Sequence, residues 1–324
     1  MDNPKNESTQ TENGKEIAIA KKPAVGNNKA SVGRWIGCFF ILFAAYVVIQ
    51  AIALSIARTI KIEGDFEWLP DTLGTFIGFG LLFFVSVFVI RKFMKTSFRD
   101  FVFGTEGKID FKQIRTIFIC WLIGMVLSMI ISFATGEITA INLNPMGIPA
   151  ILLTLLMAIV FTWMQTSYEE IAFRGVFLRA ACGDKIELTA KCVVFGIISS
   201  AIFMAMHLAN PEMLSQQTAL DVIAGASGYF LMGAIMYFVN VAFGNLMPGL
   251  FIHWINNFFA FAILTQEVSA VKTGAIFYQT GSSAGTGSFL SVVITYAPII
   301  ILIIVNLVRN HKKKADINEA GANE

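Results

Sequence analysis

Residues 148–179 read IPAILLTLLMAIVFTWMQTSYEEIAFRGVFLR. The run carries no charged side chain before Glu169, then brings Glu169, Glu170, Arg174 and Arg179 close together. A bilayer core of about 30 Å is crossed by about 20 apolar helical residues. The run therefore predicts an overlong transmembrane helix with ionisable groups inside it. Barrel strands would be about half that length and would alternate in polarity, which this run does not. Working outward, comparable apolar stretches precede it at 35–57, 72–90 and 116–134. Others follow at 191–207, 222–243, 246–264 and 289–308. The expected fold is all-α, a polytopic membrane helix bundle of about eight transmembrane helices.

Composition agrees. Of 324 residues, 56% are hydrophobic and only 14% are charged, against about 25% charged in soluble domains. Disordered, collagen-like and disulfide-stapled classes are excluded. A net charge of +2 gives no case for a nucleic-acid partner. Cys38, Cys120, Cys182 and Cys192 are scattered without a CxxC pair, so neither a zinc ribbon nor a disulfide framework is indicated.

Positive charge is retained on the cytoplasmic side of a membrane. With eight spans and both termini cytoplasmic, every Lys and Arg except Arg58, Lys61 and Lys272 falls at the inner side. Residues 1–33 then form a polar, disordered cytoplasmic tail, and the first span acts as an uncleaved anchor. Residues 34–309 form the membrane domain. Residues 310–324 form a second cytoplasmic tail, basic and then polar. The Ser/Gly stretch 281–287 reads as a flexible outer loop. Residues 91–115 mix Lys and Arg with phenylalanines, which fits either contact with anionic headgroups or a solvated loop. Gly74 and Gly78 form a GxxxG pair suited to close helix packing. No internal repeat of the kind found in many transporters is visible.

Ionisable side chains inside a bilayer are costly and mark function. Here the carboxylates are Glu169 and Glu170, the deep guanidinium is Arg174, and the histidines are His207 and His253. Glu170 and Arg174 are four apart, with the acid first, which is the favoured helical order. Glu169 is rotated about 100° away and lacks a local partner. A carboxylate in an apolar setting suits a general base. Phe203 precedes His207 by one turn on the same face. His253 and Asn257 are likewise four apart and share a face, whereas Asn256 points elsewhere; a His/Asn pair can donate two hydrogen bonds to one oxygen. Each cluster also has a plain structural reading, as helix-end charges, an interfacial histidine or polar glue between helices. Convergence of three spans on one buried site is the more economical account.

Glu-Glu-x-x-x-Arg, then Phe-x-x-x-His, then His-x-x-x-Asn, in that order on three apolar helices, resembles the CAAX-protease and bacteriocin-processing family (CPBP, also called Abi). Phe173 and Gly175 fit the family's FRG ending. The resemblance covers about residues 148–264, the expected catalytic core. It implies an intramembrane endopeptidase acting on a membrane-associated peptide or protein, in a multi-pass protein of a prokaryotic plasma membrane. It further implies that Glu169, helped by His207, activates water. His253 and Asn257 would stabilise the oxyanion, with Glu170, Arg174 and Phe203 in support. Family members are often called metalloproteases, and Glu169, His207 and His253 offer a Glu/His/His set for Zn²⁺. Without an HExxH, a metal-independent glutamate mechanism is the preferred expectation. The rival expectations are a non-catalytic scaffold or bacteriocin-immunity protein, and a transporter.

One requirement follows for the fold. At ~1.5 Å per residue, His207 lies ~24 Å beyond Lys191, while His253 sits shallow if its span begins at Leu246. The two meet only if that span starts nearer Val241 or if the inner end of 191–207 lies in water.

Overall fold

A computed structural model describes residues 32–104, 109–183, 185–216, 218–266, 273–280 and 286–322. The expected N-terminal tail (all but its last two residues) and most of the expected Ser/Gly loop lie outside these residues. In chain order the helices and strands are α1 (Val32–Ala57), α2 (Leu69–Lys92), α3 (Phe98–Phe103), α4 (Phe111–Ala134) and β1 (Ala140–Leu143). Then follow α5 (Gly147–Cys182), α6 (Ala190–His207), α7 (Pro211–Leu214), α8 (Ala219–Phe243) and α9 (Met247–Ile263). The chain closes with β2 (Leu264–Gln266), β3 (Phe277–Thr280) and α10 (Thr286–Ala322).

Helix starts follow from local chemistry. Asp110, Thr189 and Thr218 each cap a helix by accepting from a backbone N–H two or three residues on, which satisfies donors the helix leaves open. Pro70, Pro211 and Pro248 sit in first turns, where a missing N–H costs nothing. Gly244, with φ at +73°, ends α8 in the left-handed conformation, and α9 turns back antiparallel.

Among the described residues, seven helices are long and apolar enough to cross a membrane. Their outward faces are greasy, with Phe40, Phe84, Leu152, Ile159, Val194 and Ile301 all exposed, as lipid contact requires. The molecule is therefore a polytopic membrane bundle. The eighth expected stretch, 246–264, is the shorter helix α9, apolar over Met247–Ile263. Its shortness has a structural cause. A Cβ on Gly175 would meet both Phe101 and Leu246, so α9 begins level with Gly175. That is seven residues, about 10 Å, before the end of α5. The space beneath is filled by α3, whose Phe101 and Val102 are buried and whose Val102 carbonyl accepts from Leu246 N–H at 2.9 Å. The aromatic residues of 91–115 are thus divided: Phe101 is a core residue, while Phe111 is 76% exposed.

The helix ends sort onto two faces. On one, Trp35 of α1 packs on Phe101 of α3, Arg179 of α5 donates to the Asp100 carbonyl and Asn310 of α10 donates to the Ala242 carbonyl at 3.0 Å. The start of α1 and the polar end of α10 therefore share a face. Helix α10 continues unbroken from its apolar stretch through the basic run to Ala322. On the opposite face, β3 pairs with β1 antiparallel and with β2 parallel, giving the order β1-β3-β2. This small sheet joins the segments after α4 and α9 to the one before α10.

The GxxxG pair serves packing. A Cβ on Gly74 would overlap Ala57 and the Ala53 carbonyl, and one on Gly78 would strike Gln50.

Candidate active site

Helix α5 widens into a π-turn over Glu170–Gly175, a local feature that often accompanies functional sites. The wider turn rotates less per residue than an α-helix. At its start Glu169 and Glu170 both reach His253 of α9, from the two edges of one imidazole. Glu170 Oε1 lies 2.9 Å from His253 Nδ1, and Glu169 Oε2 lies 3.5 Å from His253 Nε2. The same Glu170 oxygen pairs with Arg174 Nη1 at 3.0 Å. Glu170, expected as the partner of Arg174, is thus also the anchor of His253. A carboxylate can only accept here, so Nδ1 carries the proton and Nε2 is turned toward Glu169.

Arg174 is fully buried, with its guanidinium carbon 3.9 Å from the Phe203 ring centroid. Stacking of this kind suits a weakly hydrated, planar cation. Phe203 lies at the centre of the cluster. Its ring is 4.2 Å from His207 and 5.9 Å from His253, centroid to centroid. The His207 Nδ1 donates to the Phe203 carbonyl at 2.8 Å, which leaves its Nε2 lone pair free. The other face of His207 stacks on Tyr229 of α8 at 4.5 Å, and the Tyr229 hydroxyl donates to Glu212 at 2.6 Å.

The span does not start nearer Val241, since α8 runs to Phe243 and α9 begins at Met247; the depths match because α3 lifts that start into the bundle. Leu246 is level with Gly175, and His253, two turns on, is level with Glu169 and Glu170. Gly249 sets the approach of α9 to α8. Its N–H donates to Asn240 Oδ1 at 2.7 Å, and a Cβ would overlap Asn240 and the Met236 carbonyl.

A cavity of about 690 Å³ stands over the cluster, with Glu169, His207, His253 and Asn257 in its wall. Asn256 lines it as well, contrary to the expectation that it points elsewhere; the helix opens into a π-turn at Phe259–Ile263 just beyond. Glu169 also has a local partner after all, since Gln165 Nε2 donates to its Oε1 at 3.2 Å. Gln165 sits one turn before Glu169, so the spacing used for the other pairs would have found it. Tyr229 had no such signal, being one phenol in an apolar span.

The zinc expectation can be tested on the donors. Among the described residues, no three His, Cys, Asp or Glu side chains are grouped so as to hold a metal ion. His253 Nδ1 is engaged by Glu170, and its Nε2 faces a carboxylate. A histidine whose one ring nitrogen is held by a carboxylate can still ligate through the other, so Glu169, His207 and His253 keep the donor types of the expected Glu/His/His set; no step below uses a metal ion.

The fold and site define a membrane bundle whose buried Glu/Glu/Arg, Phe/His and His/Asn groups gather at one cavity. Residues 151–259 match the family model described as type II CAAX prenyl endopeptidase Rce1-like. The chain thus carries an Rce1-like domain of the CPBP (Abi) family. Among curated proteins, the uncharacterized protein YyaK of Bacillus subtilis (strain 168) is 25% identical over 259 residues, covering 76% of this chain and 82% of the relative. No solved structure matches.

Proposed function

We propose that the protein is an intramembrane endopeptidase that hydrolyses a peptide bond in a membrane-associated peptide or protein, in a prokaryotic plasma membrane. The observation that carries this reading is His253 held between two carboxylates at the cavity wall, 2.9 Å from Glu170 and 3.5 Å from Glu169. Buried charge must be balanced. In this reading the imidazole donates from both nitrogens, Nδ1–H to Glu170 and Nε2–H on the side of Glu169.

In the proposed reaction, Glu169 takes a proton from a water that also donates to His207 Nε2. The water oxygen bonds to the carbonyl carbon, and the C=O π electrons move onto oxygen. His253 Nε2–H and the Asn257 amide donate to that oxyanion. When the C–N bond breaks, the leaving nitrogen takes the proton from Glu169, and the carboxylate is restored. Glu170 and Arg174 are positioning residues, acting through His253.

Glu169→Gln keeps the shape but cannot accept the proton. It should abolish cleavage while expression and membrane insertion persist. The measurement is mass spectrometry of membrane peptides from cells carrying either form, followed by a purified assay. Full cleavage by the Gln variant removes Glu169 as the base. An unchanged peptide profile, with wild-type and variant alike, favours a non-catalytic binding protein.

A further inference from the structure

The cavity is confined to one half of the bundle. Its lining residues fall within 46–54 of α1, 125–132 of α4, 225–232 of α8 and 291–296 of α10. Each set lies toward the end of its helix that meets the small sheet. Residues of that sheet, Thr265 and Gln279, belong to the wall, as do Glu212 and Gln216 beside α7. Toward the other face the path is closed. There α3 buries Phe101 and Val102 under the start of α9, and Arg179 lies over the Phe101 ring. The mouth is therefore at the sheet face.

Charge distinguishes the same two faces. On the face sealed by α3 stand Arg91 and Lys92 in the last turn of α2, Lys95, Arg99 of α3, Lys112 and Arg115 at the start of α4, Lys185, and Lys191 at the start of α6, against Asp100, Asp110 and Glu187. Arg309 and Lys312 to Lys314 of α10 join them, and Lys314 reaches Glu187 on that face. On the mouth face the described Lys and Arg residues are Arg58 and Lys61, against Glu63, Asp65, Glu67, Asp71, Glu137, Glu212 and Asp221. Among the described residues, no Lys or Arg lines the cavity. Lys and Arg near span ends are held on the cytoplasmic side.

We infer that the cavity opens on the extracytoplasmic side of the membrane. The substrate is then an exported peptide, or the outer juxtamembrane segment of a membrane protein. The reaction that supplies it is translocation across the bilayer. The inference about the mouth rests on geometry and charge alone; only the word "substrate" rests on the endopeptidase reading above.

The test separates the two. In a chain whose four cysteines are replaced by alanine, Gln216→Cys, at the cavity wall, is compared with Lys312→Cys, on the sealed face. A membrane-impermeant maleimide is added to intact cells and to permeabilised cells. Gln216→Cys should label fully in intact cells, and Lys312→Cys only after permeabilisation. The reverse pattern overturns the inference. Should the cysteine-free chain not accumulate, fusions at Glu324 decide instead. Green fluorescent protein should be bright there and alkaline phosphatase inactive; an active phosphatase overturns the inference. Labelling needs no turnover, so a cavity that labels from outside while cleaving nothing defeats the endopeptidase reading and leaves the orientation standing.

Discussion

Replacing Glu170 by Gln tests the centre of the site. One Glu170 oxygen holds both Arg174 Nη1 at 3.0 Å and His253 Nδ1 at 2.9 Å, and all three groups are buried. Breaking a buried ion pair from one side costs about 3–5 kcal/mol, because the remaining charge is left without compensation. A Gln oxygen still accepts a hydrogen bond, which returns roughly 1 kcal/mol. The net loss is thus about 2–4 kcal/mol, a large part of a typical folding stability of about 5–15 kcal/mol. The double variant Glu170→Gln/Arg174→Met removes both charges. Its thioether retains contact with Phe203, since sulfur packs favourably on aromatic rings. Stability should return to within about 1 kcal/mol of wild type, as uncharged replacements of buried pairs often allow. Activity should not return, because the His253 Nδ1 still lacks the Glu170 carboxylate that orients it; losing one oxyanion donor typically costs about 10²–10³ in turnover. Thermal unfolding followed by tryptophan fluorescence in detergent reads the first quantity, and peptide cleavage reads the second. A single variant as stable as wild type, or a double variant as active, refutes the reasoning.

Gly249→Ala should lower turnover about 10- to 100-fold with folding retained. The new Cβ would sit 2.6–2.8 Å from Asn240 and the Met236 carbonyl. Relief to ordinary contact moves α9 by about 0.7 Å at a cost of about 1–3 kcal/mol, and a shift near 1 Å in a catalytic group is felt at that scale. Unchanged kcat would show that α9 is not held by this contact. His253→Ala and Asn257→Ala should each reduce kcat more than they raise KM, since donors to an oxyanion act in the transition state. Their combined effect should be less than additive, and equal losses in KM alone would rule out the assigned role. Lys185 and Lys314 hold the Glu187 carboxyl below its ordinary value of 4.5. A depressed carboxylate contributes above its unfolded value and loses that contribution as pH falls through the lowered one. Proteolysis of the α10 tail should therefore quicken only below about pH 4.5. The effect should be small and salt-sensitive, because the pair is exposed; quickening between pH 6 and 8 contradicts it.

Helix existence was legible because bilayer length is a strong constraint on sequence. Residues 148–179 and the stretches around them could hardly be read otherwise, and α1, α2, α4, α5, α6, α8 and α10 follow them closely. The depth of α9 was not legible, because it depends on a tertiary event. Helix α3 is six residues long, and only its docking shows that Leu246 starts a helix inside the bundle. The sheet was hidden for a similar reason. Strands β1 and β3 pair across most of the chain, Ala140 with Thr280, and neither is long enough to show a period. The π-turn was invisible because the sequence of Glu170–Gly175 is helix-compatible in either winding. Two adjacent carboxylates on one imidazole were hidden as well, because a rotation of about 100° between neighbours suggests separate partners.

The motif spacings were legible for a reason that the packing makes plain. Helices α5 and α6 run antiparallel with equal rise per residue, so one turn back on α5 meets one turn forward on α6. Phe177 packs on Phe195, Phe173 on Phe203, and the Ser199 hydroxyl donates to the Phe173 carbonyl. Continuing that register brings Glu169 level with His207. Helix α9 runs the other way to α5, from Leu246 beside Gly175 to His253 beside Glu169 and Glu170. A separation of four residues in each motif is therefore one shared step in depth. It carries the site from its packed floor, at Arg174, Phe203 and Gly249, to its chemical layer, at Glu169 and Glu170, His207 and His253. Asn257 lies one step further along α9, in the wall of the cavity where a peptide carbonyl would enter. An insertion of one residue between Phe203 and His207 would rotate the imidazole by about 100° out of that layer, while the helix itself would remain intact.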